Sequence, residues 1–164
     1  PVRYRAVVIT ISDKGSKGER EDTSGPRLAA MLATDYDVGE VLIVPDETDL
    51  IAQTIKTQID ERRFDLVVTT GGTGVGPRDV TPEATRSVME KELPGFAEVM
   101  RMESYRITPF ALISRAVCGI RGQSIIVNLP GSPKAASECL SFVLPSLPHA
   151  LEKVKGDPSD CAAT

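Results

Sequence analysis

The chain has 164 residues, 41% of them hydrophobic and 26% charged, with a formal net charge of -4 at pH 7 and a pI near 5.1. That size and balance give one soluble globular domain with a real core, and they exclude a membrane-spanning chain, because no apolar run approaches the ~20 residues a spanning helix needs. The acidic balance also speaks against a general nucleic-acid binder, whose electrostatic footprint is basic.

In chain order, residues 5–12 (RAVVITIS) form a β-branched run fit for a buried strand. The segment DKGSKGEREDTSGP is too polar and glycine-rich to continue it, so the strand ends in a long loop. Thr23 or Ser24 caps a helix with Pro26 in its first turn, and Leu28, Met31 and Leu32 give it an apolar stripe. Residues 38–44 (VGEVLIV) make a second strand, which Pro45 ends. Thr48 or Asp49 starts the next helix, on which Ile51, Ile55 and Ile59 recur every four residues, and residues 65–70 supply a third strand that runs straight into glycines. Strand, helix, strand, helix, strand is the order of a doubly wound α/β domain.

Past the glycines, Thr81 caps a helix with Pro82 as its first residue, reading TPEATRSVMEKEL and closed by Leu93, Pro94 and Gly95. Residues 96–106 are helical again, 116–120 and 124–129 pair around Arg121 and Gly122, and 137–147 make a helix that ends near Pro148. Residues 156–164 read as a frayed tail, so the expected organisation is a single domain over 1–155 followed by that tail. The opening PVRYRAVVITIS enters a strand at once and lacks the regions of a signal peptide, so the expected location is the cytoplasm.

Ligands of open α/β sheets bind beyond the carboxyl ends of the parallel strands, where residues 12–25, 45–48, 71–81 and 130–134 converge. Gly71, Gly72, Gly74 and Gly76 permit backbone angles and close approaches that let amides cradle phosphate oxygens. GGTGVGPRD is neither a Walker A motif nor the dinucleotide fingerprint, and alone it reads equally as a tight strand-to-helix turn. Arg78, Asp79 and the capped TPEAT helix shift the balance toward anion binding. Asp46 and Asp79 each follow a strand and share a sheet edge, where two carboxylates suit Mg²⁺ bridged to phosphate; either one alone reads first as a turn or capping residue, and it is the pairing that favours the metal.

In NLPGSPK, Ser132 and the amides after it can grip an anion, with Lys134 adding charge, or they form an ordinary proline-rich turn with a capped helix. Ser12 and Asp13, at the tip of the first strand, have the same standing. Lys14, Lys17, Arg20, Arg27, Arg78 and Lys134 lie in or beside loop segments and supply local positive charge in an acidic chain. Cys118, Cys139 and Cys161 show no CxxC spacing; the first two sit in apolar segments as core residues and the third lies in the tail. His149 is the single histidine, so histidine triads and histidine metal sites are set aside, and catalysis must rest on carboxylates, amides, hydroxyls, cations or a metal.

Five ordered motifs, ISDKGSKGEREDTSGP, VPDE, TTGGTGVGPRDVTPEAT, PGFAEVMRMESYRITPFALISRAV and NLPGSPKA, together resemble the molybdopterin adenylyltransferases. These form the MogA-type branch of the molybdenum cofactor biosynthesis family related to the gephyrin G domain. The resemblance covers residues 3–155. It implies a three-layer α/β/α sandwich with a mostly parallel sheet, a homotrimer, and use of Mg²⁺ and ATP to move AMP onto the terminal phosphate of molybdopterin, giving adenylyl-molybdopterin and pyrophosphate. It implies Asp46 and Asp79 as catalytic residues and Mg²⁺ ligands. Gly71, Gly72, Thr73 and Gly74 would line the phosphates, and Ser12, Asp13, Ser104, Pro130, Gly131, Ser132, Pro133 and Lys134 would shape the pocket. A molybdenum-insertion protein is the implied partner, with no nucleic acid or membrane. The alternative within the same family is a non-catalytic molybdopterin-binding or scaffold domain.

Overall fold

A computed structural model describes residues 2–159 and Cys161. The first strand, β1 (Arg5–Ile11), is buried after its first residue and runs into a single helical turn, α1 (Asp13–Ser16). Then come α2 (Ser24–Leu32), two short strands β2 (Asp37–Val38) and β3 (Leu42–Val44), and α3 (Thr48–Lys56), which widens into a looser turn over Thr57–Glu61. After β4 (Leu66–Thr70) and the glycine loop follow α4 (Thr81–Val88), β5 (Lys91–Glu92), α5 (Pro94–Tyr105) and a tight turn at Pro109–Ile113. The hairpin β6 (Cys118–Arg121) and β7 (Ser124–Leu129) leads to α6 (Pro133–Val143) and α7 (Leu147–Val154).

The strands form one sheet in the order β2-β1-β4-β7-β6-β5, with β3 also paired to β1. β1 is parallel to β2, β3 and β4, β4 is parallel to β7, and only β6 runs antiparallel to its neighbours β7 and β5. Strand side chains alternate between faces. Ala6, Val8, Leu66, Val68, Ile125 and Val127 therefore pack beneath α2, α5, α6 and α7. Val7, Ile9, Ile11, Val67 and Ile126 pack against Ile51 and Ile55 of α3 and Ala84 and Val88 of α4. Helices thus cover both faces, which is why β1, β4 and β7 are mostly apolar and buried on both sides. This is the expected three-layer, mostly parallel architecture.

Several local expectations give way to tertiary context. The strand expected over 38–44 is split: the Gly39 amide still donates to the Ala6 carbonyl at 2.9 Å, where Gly39 passes the Phe64 ring too closely for any Cβ, and pairing with β1 resumes only at Leu42. Neither Thr23 nor Ser24 caps α2 through its side chain; the carboxylate of Asp22 accepts from the Gly25 amide at 2.9 Å instead. No side-chain cap is made at α3 either, whose N-cap position is Glu47. The helix after the glycine loop stops at Val88, since Met89 turns extended and residues 91–92 are drawn into pairing with β6, so Pro94 opens α5 rather than closing α4. The last helix starts at Pro133, ahead of 137, because Ser132 Oγ accepts from the Ala135 amide, and Pro148 lies in the first turn of α7 rather than at a helix end. Residues 13–16, read as loop, make one helical turn capped by Ser12. Of the expected tail, residue 160 and residues 162–164 lie outside the described residues. Among the described residues no helix is long and apolar enough to cross a membrane.

One buried polar group ties the centre of the sheet together. Asn128, fully buried in β7, donates from Nδ2 to the hydroxyls of Thr69 and Thr85 at 3.0 Å each and accepts the Val117 amide on Oδ1 at 3.2 Å. Asn128→Leu keeps the volume but orphans these groups, each costing about 1–3 kcal/mol when buried unpaired. Urea denaturation is expected to record a loss of about 2–4 kcal/mol; a loss no larger than that of a surface substitution would show that the network does not hold the sheet.

Candidate active site at the carboxyl edge of the sheet

β4 delivers its last ladder partner, Gly71, whose amide donates to the Leu129 carbonyl at 3.1 Å. Gly71 and Gly72 have φ of +103° and +69°, and a Cβ on Gly71 would collide with the Ile11 carbonyl oxygen, so only glycine permits this turn. The start of α4 locks the loop shut: the Thr81 hydroxyl donates to the Gly71 carbonyl at 2.9 Å and its amide to the Gly72 carbonyl at 3.1 Å. Between these fixed ends the amides of Gly72, Thr73, Gly74 and Val75 find no protein acceptor among the described residues. Consecutive unpaired amides are the raw material of an anion-binding nest, and of these residues Gly72, Thr73 and Gly74 line the cavities at this edge while Val75 is exposed outside them.

The acidic side chains gather beside this nest. Asp46, just past β3, and Asp13, just past β1, bind each other reciprocally: the Asp46 carboxylate accepts the Asp13 amide at 2.9 Å and the Asp13 carboxylate accepts the Asp46 amide at 3.0 Å. Arg78 then grips both Asp13 oxygens at 3.0 Å through Nε and Nη2, and that fork holds the Asp13 carboxyl below its usual range. Asp46 is left without a cation of its own. Burial first, and the Asp13 and Asp79 charges after it, push its carboxyl upward. Asp79 completes a turn, accepting the Gly76 amide on Oδ2 at 2.9 Å. Gly72 passes so close to Asp46 that a Cβ there would stand 3.1 Å from Oδ1, so the nest and this carboxylate share a wall.

Two cavities meet along the glycine loop. The polar one, about 450 Å³, is lined by Ser12, Asp22, Asp46, Gly71 and Ser132 among others; the apolar one, about 410 Å³, by Thr73, Gly74, Met100, Ser104, Phe110 and Cys139 among others. Gly72, Asp79 and Gly131 border both. Pro130 borders the apolar cavity and Pro133 the polar one. Two expected pocket residues stand aside. Lys134 projects into solvent, its side chain 76% exposed, and pairs with Glu138 one helical turn on at 2.9 Å. Asp13 lines neither cavity and acts through Asp46 and Arg78.

Three residues were not singled out from the sequence. Asp22 accepts the Thr10 hydroxyl at 2.7 Å while capping α2, and so holds the floor of the polar cavity. Arg115 and Glu83 form an ion pair at 2.7 Å, and the same guanidinium reaches the carbonyls of Gly74 and Asp79. The acid in EDTSGP was a local capping signal; the partners of Arg115 are too distant in sequence to leave one. Among the described residues no cluster of three or more His, Cys, Asp or Glu side chains is placed to hold a metal by itself.

Residues 7–149 match the family model described as "Probable molybdopterin binding domain". The chain is 46% identical over 154 residues to the molybdopterin adenylyltransferase of Helicobacter pylori strain J99, spanning 92% of this chain and 87% of that one. It is 44% identical to the molybdenum cofactor synthesis protein cinnamon of Drosophila melanogaster, over 93% of this chain but only 26% of that much longer protein. Among solved structures, the molybdopterin biosynthesis enzyme MoaB of Thermus thermophilus superposes with a TM-score of 0.88 at 47% identity, covering 96% of this chain and 99% of its own.

The raised carboxyl of Asp46 fixes the sign of a pH effect. The folded protein binds this proton more tightly than the unfolded chain, so the contribution of the group is full below its ordinary value of 3.8 and is lost as pH rises through the folded value. Asp46→Asn, which keeps an oxygen for the Asp13 amide, is therefore expected to melt at least as high as the parent at pH 7 and to lose that advantage at pH 3. Thermal melts at the two pH values check this, and a parent that is the more stable at neutral pH would contradict it.

Proposed function

The chain belongs to the molybdopterin-binding domain family of molybdenum cofactor biosynthesis, and on that premise we propose that it is a molybdopterin adenylyltransferase. It transfers AMP from ATP to the terminal phosphate of molybdopterin, yielding adenylyl-molybdopterin and pyrophosphate. The observation that carries this reading is the run of unpaired amides from Gly72 to Gly74, set beside Asp46 and Asp79 where a polar and an apolar cavity meet.

In the transfer, an oxygen of the molybdopterin phosphate attacks the α-phosphorus of ATP, the bond from that phosphorus to the bridging oxygen breaks, and pyrophosphate leaves with the electron pair. Little covalent work falls to the protein. The nest amides hold phosphate oxygens, Ser12 and Ser132 line the polar cavity around them, and Met100, Phe110 and Ser104 offer a less polar wall for a flat heterocycle. The donor set fits Mg²⁺. Asp46 is half-buried and lacks a cation, its Oδ1 and the Oδ1 of Asp79 accept from no protein group among the described residues, and Mg²⁺ takes one or two carboxylates and completes its shell with water and phosphate. When bound there, Mg²⁺ supplies charge neutralisation of the phosphates.

Self-association is supported by the apolar side chains left in solvent from α5 through the turn after it, including Met102, Tyr105, Ile107, Leu112 and Phe110, the last 77% exposed; that the assembly is a trimer rests on the resemblance. A molybdenum-insertion protein is the natural consumer of the adenylylated product, and the cytoplasm the natural site of the reaction.

Pyrophosphate release from molybdopterin, ATP and Mg²⁺ tests the reading. The purified protein is expected to release it well above a heat-killed control; molybdopterin binding without release would favour the scaffold alternative. Asp79→Asn can still accept the Gly76 amide, so it is expected to fold while turnover drops on the order of 10²-fold or more. Parental turnover in that folded variant would remove Asp79 from the machinery.

A further inference from the structure

Arg115 lies on the short strap between the Pro109–Ile113 turn and β6, and its guanidinium borders neither of the two cavities at the glycine loop. Its bonds nevertheless converge on that loop. The Arg115 amide donates to the Thr73 carbonyl at 2.8 Å, Nε to the Gly74 carbonyl at 2.7 Å and Nη2 to the Asp79 carbonyl at 2.8 Å. Nη1 and Nη2 also reach the two oxygens of Glu83, at 2.7 and 3.2 Å, on the first turns of α4. The side chain thus commits four of its five N–H donors in a rigid planar fork, and the Glu83 carboxylate holds its charge in place.

A peptide group is planar and trans, so the N–H of each residue points opposite to the carbonyl before it. Holding the carbonyls of Thr73, Gly74 and Asp79 toward Arg115 therefore turns the N–H groups of Gly74, Val75 and Val80 away from it. Those amides have no protein acceptor among the described residues, and the first belongs to the run from Gly72 to Gly74. The grip on the Asp79 carbonyl also fixes the backbone from which that carboxylate projects. A glycine loop has little rigidity of its own, and misplacement by a fraction of an ångström is costly in a reaction driven by positioning.

We propose that Arg115 is a positioning residue of the adenylyl transfer, aiming the phosphate-binding amides and the Asp79 backbone from behind the loop without touching substrate. This rests on the function proposed above. It accounts for an arginine rather than a lysine at this place, because an ammonium cannot span carbonyls at both ends of the loop and Glu83 at once.

The test compares the parent with Arg115→Met, Arg115→Lys and Glu83→Gln. Arg115→Met is expected to fold, to bind molybdopterin within about threefold of the parent, and to lose kcat by about 10²-fold, with amide hydrogen exchange rising over residues 72–80. Arg115→Lys should recover little of that loss, whereas Glu83→Gln, which leaves the guanidinium on its carbonyls, should stay within about fivefold of the parent. In Arg115→Ala, added methylguanidinium should restore part of the rate. Parental kcat in Arg115→Met overturns the proposal, and so does a loss that Arg115→Lys fully restores, since charge alone would then suffice. Should the Met variant fail to fold, Arg115→Lys carries the same comparison. If the parent itself releases no pyrophosphate, the adenylyl-transfer reading fails on its own; calorimetric binding of inorganic pyrophosphate then decides for Arg115, and equal affinity in parent and variant overturns its role.

Discussion

No side chain fits at residue 71. The carbonyl oxygen of Ile11 occupies the space where a Cβ would project, and the backbone there sits in the left-handed region. Because of that contact β4 can turn at the very end of its ladder, still bonded through the Gly71 amide to β7, instead of continuing into a looser connection. Thr81 can then reach back to the Gly71 and Gly72 carbonyls, the nest amides lie between two anchored points, and Asp79 is delivered beside Asp46. Replacing the hydrogen of that glycine with a methyl group would move each of these at once.

The charges at this edge are arranged against the comfort of the isolated chain. Burial first, and then the charges of Asp13 and Asp79, raise the pKa of Asp46, while Arg78 pairs only with Asp13. A fold selected for stability alone would neutralise Asp46 or replace it. A half-buried carboxylate short of positive charge carries unfavourable electrostatics, which the proposed Mg²⁺ would relieve, a common exchange of stability for function.

Much of this was legible because burial writes itself plainly on a parallel sheet. β1, β4 and β7 are covered on both faces and read as mostly apolar runs, broken by buried Thr69, Thr70, Ser124 and Asn128, and a doubly wound order then places the ends of β1, β3, β4 and β7 together. Asp46 and Asp79 were placed at that edge because one follows β3 and the other follows the loop after β4. Where reading failed, the deciding partner was distant in sequence. Met89 leaves the helix because β6 offers residues 91–92 a ladder, and Arg115 meets Asp79 across a separation of 36 residues. Lys134 is turned to a local partner, Glu138 one turn away, rather than toward either cavity.

Asp46 hangs from β3, which has three residues and pairs with β1 alone at the sheet margin. Such a margin opens at a lower free energy than the centre of the sheet. The proposed cation, held through Asp46, would bind the closed margin and so would favour it. Affinity at this site and order in the outermost strand are two readings of the same equilibrium, so a sheet could be tightened at its rim without a single new contact to the ligand.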